Sequence, residues 1–443
     1  MSLQILTFKG GVHPKYNKEL TSGLPIEVMP APEEVAIPLL QHTGAPCEPL
    51  VAVGDEVKLG QKIGEAKGFV SVPVHSSVSG KVRVIEPRLH PSGSFVNTVV
   101  IENDKLDTPD ENIKSRGSLD DLTSDDIKNI IKEAGIVGMG GAAFPTHVKL
   151  SPPTDKRVDT VIINGAECEP YLTCDHRLMV EYPSEIVYGL KAILKALNVD
   201  RGVIAIEVNK PDAIEAVEKA AAGVKGVEVV RLAAKYPQGG EKQLIKTVTG
   251  REVPSGGLPA DVGAVVNNVG TAYAIARAIK EGMPLVERVV TITGRAVKNP
   301  KNLSVRIGTM LRDILDYCGG FNGDPGKLIT GGPMMGVTQY TLEIPVIKGT
   351  SGVLVLPEDM TRPEKVRACT KCAKCVEVCP MNLMPLFISM YALNDDFADA
   401  DKYHALDCIE CGCCSYICPC KRPLVESIRQ AKNEILSNRR KQA

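Results

Sequence analysis

The sequence predicts a multidomain α/β protein. Its parts are a β-rich N-terminal module, a central domain with a mostly parallel sheet, a small β-rich unit and a helical C-terminal domain. Three observations lead there. At 443 residues the chain is longer than one hydrophobic core organises. Downstream of Ser124, helix-like and strand-like segments alternate, the pattern of helices packed on a parallel sheet. Near the C-terminus, Cys369-x-x-Cys372-x-x-Cys375-x-x-x-Cys379-Pro380 is repeated as Cys408-x-x-Cys411-x-x-Cys414-x-x-x-Cys418-Pro419.

Composition narrows the function classes. Charge is balanced, 52 basic against 53 acidic residues, so no nucleic-acid footprint is expected. No apolar run reaches the roughly eighteen residues of a membrane span. The chain is therefore expected to be soluble, or to rest on a membrane by way of other subunits. Fourteen cysteines with no signal peptide point to a reducing cytosol.

From the N-terminus, residues 1–40 read as Pro-rich and extended, with a Gly10-Gly11-x-His13-Pro14 turn. Short β-branched runs follow from Cys47 to Glu102. Within them, Gly54-Asp55-x-Val57-x-x-Gly60-x-x-Ile63, closing with Ser79-Gly80, resembles biotinyl and lipoyl carrier domains, which are barrel-sandwich folds. The carrier lysine would fall at position 69, which here is Phe69, so a structural or docking role is expected in place of a modified arm. Residues 103–125 read as a polar linker, and Ser124 as the N-cap of a helix ending near Gly135. Strand Val158–Ile163, helix Ser184–Leu197, strand Gly202–Val208, helix Pro211–Ala222 and strand Val227–Leu232 come next. Residues 288–347 read as a small α+β unit with one helix, Met310–Tyr317. Residues 383–404 and Leu424–Leu436 read as helical, and Arg439–Lys441 as a solvated basic tail.

Both cysteine runs have the spacing of bacterial ferredoxins, in which three thiolates hold one [4Fe–4S] cluster and the fourth ligates the other. Crossed ligation of this kind puts Cys369, Cys372, Cys375 and Cys418 on one cluster, and Cys408, Cys411, Cys414 and Cys379 on the second. Zinc favours two separated C-x-x-C pairs, and disulfides need an oxidising compartment, so neither suits this pattern. Cys413 and Cys420 are surplus to it.

Upstream lies a second chemical centre. Gly138-Met139-Gly140-Gly141 follows a helix with no strand directly before it, so it is not a Rossmann dinucleotide fingerprint. Bare N–H groups in such a loop can surround a phosphate, with Lys149 as a point charge. Asn164, Glu167, Asn267 and Asn268 fall at strand ends, where an open α/β sheet places its ligand. Phe144 is a candidate to stack on a nicotinamide or adenine ring.

Gly138-x-Gly140-Gly141-Ala-x-Phe144-Pro-Thr-x-x-Lys149, Asn164-x-x-Glu167-x-Glu169-Pro, Gly240-Glu241 and Asn267-Asn268-Val-x-Thr271 are similar, in order, to the FMN- and NADH-binding motifs of the flavoprotein subunit of complex I. With Phe8-Lys-Gly-Gly-Val-His-Pro14, the carrier-like module and the two-cluster tail, the whole chain resembles the C subunits of Rnf complexes. The resemblance implies a barrel-sandwich module with its N-terminal extension over 1–110 and an FMN/NADH-binding α/β domain over 115–285. A β-grasp (SLBB-like) domain over 286–352 and a ferredoxin-like two-cluster domain over 355–443 follow. It implies FMN, NAD(H) and two [4Fe–4S] clusters as cofactors. Gly138, Gly140, Gly141 and Lys149 would line the flavin phosphate and nucleotide site, with Asn164, Glu167, Gly240, Glu241, Asn267, Asn268 and Thr271 around the flavin. Phe144 and Glu169 would face NADH. Met139, Ala143 and Lys242 depart from the complex I pattern, where arginine, glycine and glutamate are usual. The implied activity is NAD-linked electron transfer in an ion-translocating ferredoxin:NAD oxidoreductase. The protein would lie peripherally on the cytoplasmic face of the cell membrane, reaching ferredoxin through partner subunits. A cobalamin reductase of bacterial microcompartments and a non-catalytic electron relay are the competing readings.

Overall fold

A computed structural model of the chain describes residues 5–362 and 364–442. The β-branched strands Thr160–Gly165, Gly202–Glu207, Val227–Leu232 and Ala264–Asn268 form a parallel sheet, and Ile5–Leu6 adds a fifth strand beside Val227–Leu232. Strand alternation sorts the two faces. Val161 and Ile163 join the large core under helices Ser124–Glu133, Pro183–Leu197 and Val269–Lys280, whereas Ile162 faces a smaller core under Glu241–Thr249. From Thr160–Gly165 the chain steps outward through Gly202–Glu207 to Val227–Leu232, then returns to place Ala264–Asn268 on the other side. Strand order thus reverses between Thr160–Gly165 and Ala264–Asn268, which opens a crevice at their C-terminal ends.

The first helix begins one residue earlier than the Ser124 cap implies. Thr123 Oγ1 accepts from Asp126 N at 3.2 Å, and the Asp126 carboxylate accepts from Thr123 N at 2.9 Å. Ser124 is instead inside the helix and donates to the Ala196 carbonyl at 2.6 Å.

The N-terminal segment departs most from expectation. Ile5–Leu6 belongs to the parallel sheet, and Ile26–Val28 pairs with the edge strand Lys301–Arg306 of the β-rich unit. The barrel sandwich therefore starts at Glu34–Pro38, which pairs with Phe95–Asn103 over a core of Val35, Ile37, Ile63, Val99 and Ile101. Phe69 stands at its tip, 62% exposed. Its carbonyl lies 3.1 Å from His147 Nε2, and Thr43 Oγ1 donates to the Ala142 carbonyl at 2.6 Å. The sandwich tip is thereby docked on the glycine loop.

The β-rich unit is a six-stranded sheet, with helix Leu311–Tyr317 packed into its core. Strand Gly352–Pro357 pairs inside this sheet, so the unit runs past residue 352. In the C-terminal domain residues 383–404 resolve into two helices, Pro385–Ala392 and Phe397–Lys402. The last helix continues to Gln442, so the basic tail is helical and Arg439 pairs with Asp401 at 2.7 Å. The two cysteine runs share one backbone conformation. Lys371 and Glu410, Ala373 and Gly412, and Asn382 and Lys421 are equivalent positions, and all six have φ between 52° and 76°. Lys371 N and Glu410 N each donate to the first sulfur of their run at 3.4 Å.

Lys348 joins three domains. Its buried Nζ donates to the carbonyls of Pro73 in the sandwich and Gly135 after the first helix, both at 2.7 Å. No carboxylate pairs with it among the described residues, and burial pushes its amine down to about 7. The folded state therefore binds fewer protons than the unfolded chain between about pH 7 and the ordinary lysine value. Stability contributed here rises with pH across that window, by at most about 1.4 kcal/mol per unit. Wild type is expected to gain thermal stability relative to Lys348→Met from pH 7 to 9; a constant difference would contradict this.

Candidate functional site

The crevice is lined where the two central strands end. Asn164 and Asn268 are register partners across them, and Asn267 sits opposite Ile163. The Gly138–Pro145 loop closes over this edge. Gly138 N donates to the Phe144 carbonyl at 2.8 Å, and Met139 N to Thr271 Oγ1 at 3.0 Å. Thr271 is fully buried and also bonds the Val137 carbonyl, so it holds the loop. Gly140 has φ +78°, and a Cβ there would lie 2.9 Å from Asn268 Nδ2, which is why the loop needs glycine at this point. Gly140 and Gly141 face solvent, and Phe144 is half-buried beside them. Ala143 adopts φ 51°, so this position keeps the left-handed backbone that favours the usual glycine.

Asn267 is the informative residue. It is 2% exposed, and neither Oδ1 nor Nδ2 has a hydrogen-bond partner. A buried, unpaired amide costs about 1–3 kcal/mol. Asn268, by contrast, is satisfied: Oδ1 accepts from Gly270 N at 2.7 Å as a helix cap, and Nδ2 donates to Asp175 at 2.6 Å.

Several expected ligand contacts are engaged elsewhere. The Glu167 carboxylate accepts from Asp175 N at 2.7 Å and His176 N at 3.3 Å, capping helix Cys174–Glu181, and lies 3.6 Å from Lys18 Nζ. It shapes the crevice wall and does not reach into the crevice. Glu169 does not face the glycine loop; it accepts from Met334 N at 3.2 Å and Met335 N at 2.8 Å of the β-grasp domain. Burial raises its carboxyl to about 7. Lys149 and Glu241 pair with each other at 2.9 Å beside Gly240, the residue preceding helix Glu241–Thr249, so the Lys149 amine is not a free charge. Burial, then Glu167, raises the Asp175 carboxyl to about 6, and Asn268 opposes this. A buried guanidinium, Arg288, packs on Met139 Sδ, so a β-grasp side chain brings positive charge beside the position where the related pattern has arginine.

Sequence reasoning missed Lys18, Asp175, Arg288, Cys168 and Tyr236. All of them act across domains or chain segments, and no local spacing marks them. Lys18 Nζ donates to the carbonyls of Glu167 at 2.9 Å and Glu169 at 3.0 Å, and so pins the crevice-wall loop from the N-terminal extension.

The second cysteine run is built into the back of the same wall. Asn164 Nδ2 donates to the Gly239 carbonyl at 2.8 Å, and Gly239 N to Cys168 Sγ at 3.3 Å. Cys168 and Tyr236 share a buried cluster with Cys411 and Cys413. Gly10 and Gly11 splint this junction: Gly11 N donates to the Val378 carbonyl at 2.8 Å, while Val12 and Tyr236 exchange backbone bonds at 2.8 and 2.9 Å. A Cβ on Gly11 would lie 2.5 Å from the Tyr236 carbonyl oxygen. Cys379, Cys408, Cys411, Cys413 and Cys414 line one cavity. In the first run Cys369 and Cys372 are exposed, whereas Cys375, with Cys418 of the second run, packs beside Cys414, Leu424 and Val425. Cys420 Sγ lies 3.9 Å from Thr370 Oγ1, and Cys413 Sγ lies 3.9 Å from the Tyr236 carbonyl.

These residues fit the expected groups. Soft thiol donors around one cavity suit an iron–sulfur cluster, and four of the five, Cys379, Cys408, Cys411 and Cys414, are those of the crossed-ligation spacing. The orphaned Asn267 amide, adjacent in its strand to the Asn268 that Gly140 approaches, suits a flat hydrogen-bonding ring with a phosphate tail. If Asn267 awaits a flavin, Asn267→Leu should hold or raise the melting temperature of flavin-free protein while weakening FMN binding by on the order of tenfold. Lost stability with unchanged FMN affinity would make Asn267 structural. Gly11→Ala should speed hydrogen exchange at the Val12 and Tyr236 amides by about tenfold or more; unchanged protection would deny the splint.

Comparison with known proteins finds four domain families along the chain. Residues 6–106 match the family described as the RnfC barrel sandwich hybrid domain, and 131–277 the Nuo51 FMN-binding domain. Residues 289–338 match the SLBB domain and 364–419 the 4Fe-4S dicluster domain. The C subunit of the Na(+)-translocating ferredoxin:NAD(+) oxidoreductase complex of Acetobacterium woodii is 54% identical, covering 100% of both chains. The C subunit of the proton-translocating complex of Clostridium ljungdahlii is 51% identical over 97% of this chain and 94% of that protein. Among solved structures, an NAD+-reducing [NiFe]-hydrogenase in the H2-reduced state shares the fold at TM-score 0.50 and 20% identity, over 72% of this chain and 64% of that one. The chain belongs to the RnfC family, the C subunits of ion-translocating ferredoxin:NAD(+) oxidoreductase complexes.

Proposed function

We propose that the chain is the NAD-linked electron-transfer subunit of an Rnf-type complex, seated on the cytoplasmic face of the membrane. FMN bound here would supply hydride exchange with NAD(H) and one-electron exchange with [4Fe–4S] clusters. The chain's own residues place and insulate these groups. Gly138 N and Met139 N are engaged within the fold, so the exposed Gly140 and Gly141 offer backbone N–H groups for phosphate, and Phe144 presents a half-buried ring beside them. Asn267 orients the ring system, while Thr271 and Asn268 hold the loop and strand end that frame it. Cys379, Cys408, Cys411 and Cys414 would hold the cluster next to the flavin domain, and Cys369, Cys372, Cys375 and Cys418 the outer one.

One observation carries this reading: the chain of contacts from Asn164 through Gly239 and Cys168 to the Cys411 loop joins crevice and cysteine cavity through a single buried wall. Full-length similarity to Rnf C subunits favours it over a microcompartment cobalamin reductase. No helix among the described residues is long and apolar enough to cross a membrane, so attachment falls to partner subunits. Anaerobic titration of FMN- and cluster-loaded protein with NADH should bleach both flavin and cluster absorbance. If NADH bleaches neither, the chain is a passive relay and the proposed activity fails.

A further inference from the structure

The two cysteine runs match in backbone but not in surroundings. In the second, Glu410 is half-buried and neutralised by Arg429 at 2.7 Å and Lys432 at 2.6 Å. Its equivalent in the first run is Lys371, which is exposed and has no ion-pair partner among the described residues. Lys365, Arg367 and Lys374 flank the same thiols and are likewise exposed and unpaired among the described residues. The nearby acids are Glu364, paired with Lys421 at 2.9 Å, the exposed Glu377, and the exposed Glu426, whose carboxylate lies 3.5 Å from Ser415 Oγ. Cys369 and Cys372 are exposed between these cations, on the part of the cluster domain that the flavin wall leaves uncovered. Uncompensated charge around an exposed redox centre steers partners of opposite sign, raising encounter rates in a salt-dependent way.

We propose that the Cys369–Cys375 loop and its rim of Lys365, Arg367, Lys371 and Lys374 form the docking surface for an acidic one-electron carrier protein or domain. One electron crosses this contact: the carrier loses it and the outer cluster gains it, or the reverse, with no bond made or broken. The proposal rests on the relay reading above, but the test does not depend on NADH.

The probe is an oxidised acidic two-[4Fe–4S] ferredoxin, with a basic cytochrome c as control, binding the immobilised cluster-loaded full chain while no electron moves. Binding of the acidic probe should weaken on the order of tenfold between about 50 mM and about 300 mM salt. The basic control should bind more weakly at every salt concentration. Lys371→Glu with Lys374→Glu should remove about tenfold of the low-salt affinity and flatten the salt dependence. The backbone tolerates the first change, because glutamate already occupies the equivalent position as Glu410. Lys365→Glu with Arg367→Glu, outside the cysteine loop, should act in the same direction and covers the case in which the loop variant loses its cluster. Salt-independent binding, equal binding of the basic control, or both variants binding as wild type would overturn the proposal. Variants that shift the outer cluster's midpoint potential but keep full affinity would make the lysines tuning groups and overturn it as well.

Discussion

Everything downstream of the crevice depends on one junction: the backbone clamp of Gly11 and Val12 between Tyr236 and Val378. Electron transfer falls steeply with distance, so a cluster domain on a loose tether would serve this chain poorly. The clamp uses main-chain hydrogen bonds, which need close approach, and close approach here excludes a Cβ at Gly11. Gln243 Nε2 adds a bond to the Pro380 carbonyl at 3.3 Å, and Glu169 ties Met334 and Met335 to the same face. Three domains and the N-terminal extension thus meet around the Cys411 loop.

Buried lysines do much of the joining between segments. Lys18, Lys210 and Lys348 each lie almost fully buried, and the Nζ of each donates to backbone carbonyls contributed by other elements. Lys18 and Lys210 keep carboxylate partners, Glu167 and Glu207, whereas Lys348 has none among the described residues. A lysine Nζ, with two donors as the amine and three as the ammonium, fits where several carbonyls converge at a loop crossing, a place that an apolar side chain would leave with unpaired acceptors.

Much of this was legible in the sequence where chemistry is local. Thiol spacing specifies the cysteine loops because ligand geometry is set within a few residues, and the period-two strands at Thr160, Gly202 and Val227 stand where β-branched runs indicated. The Gly-x-Gly-Gly loop and the Asn267-Asn268 pair also fall together at one crevice. What was not legible is long-range. Glu169 carries the spacing of a ligand residue yet turns to a loop 165 positions away. Ile5–Leu6 and Ile26–Val28 are too short to announce themselves and gain strand identity only from the sheets they extend. The Gly10-Gly11 pair was visible as a motif, but its purpose, room for a main-chain clamp, exists only in the folded chain.

The central claim is an order in space: flavin crevice, then the Cys379/Cys408/Cys411/Cys414 cluster, then the exposed outer cluster. Rapid-mixing with NADH followed by freeze-quench EPR of a Cys411→Ala variant tests it directly. The expected result is an outer cluster that dithionite still reduces but NADH no longer reduces on the wild-type timescale, with flavin bleaching retained. Reduction of the outer cluster by NADH at the wild-type rate in that variant would contradict the order.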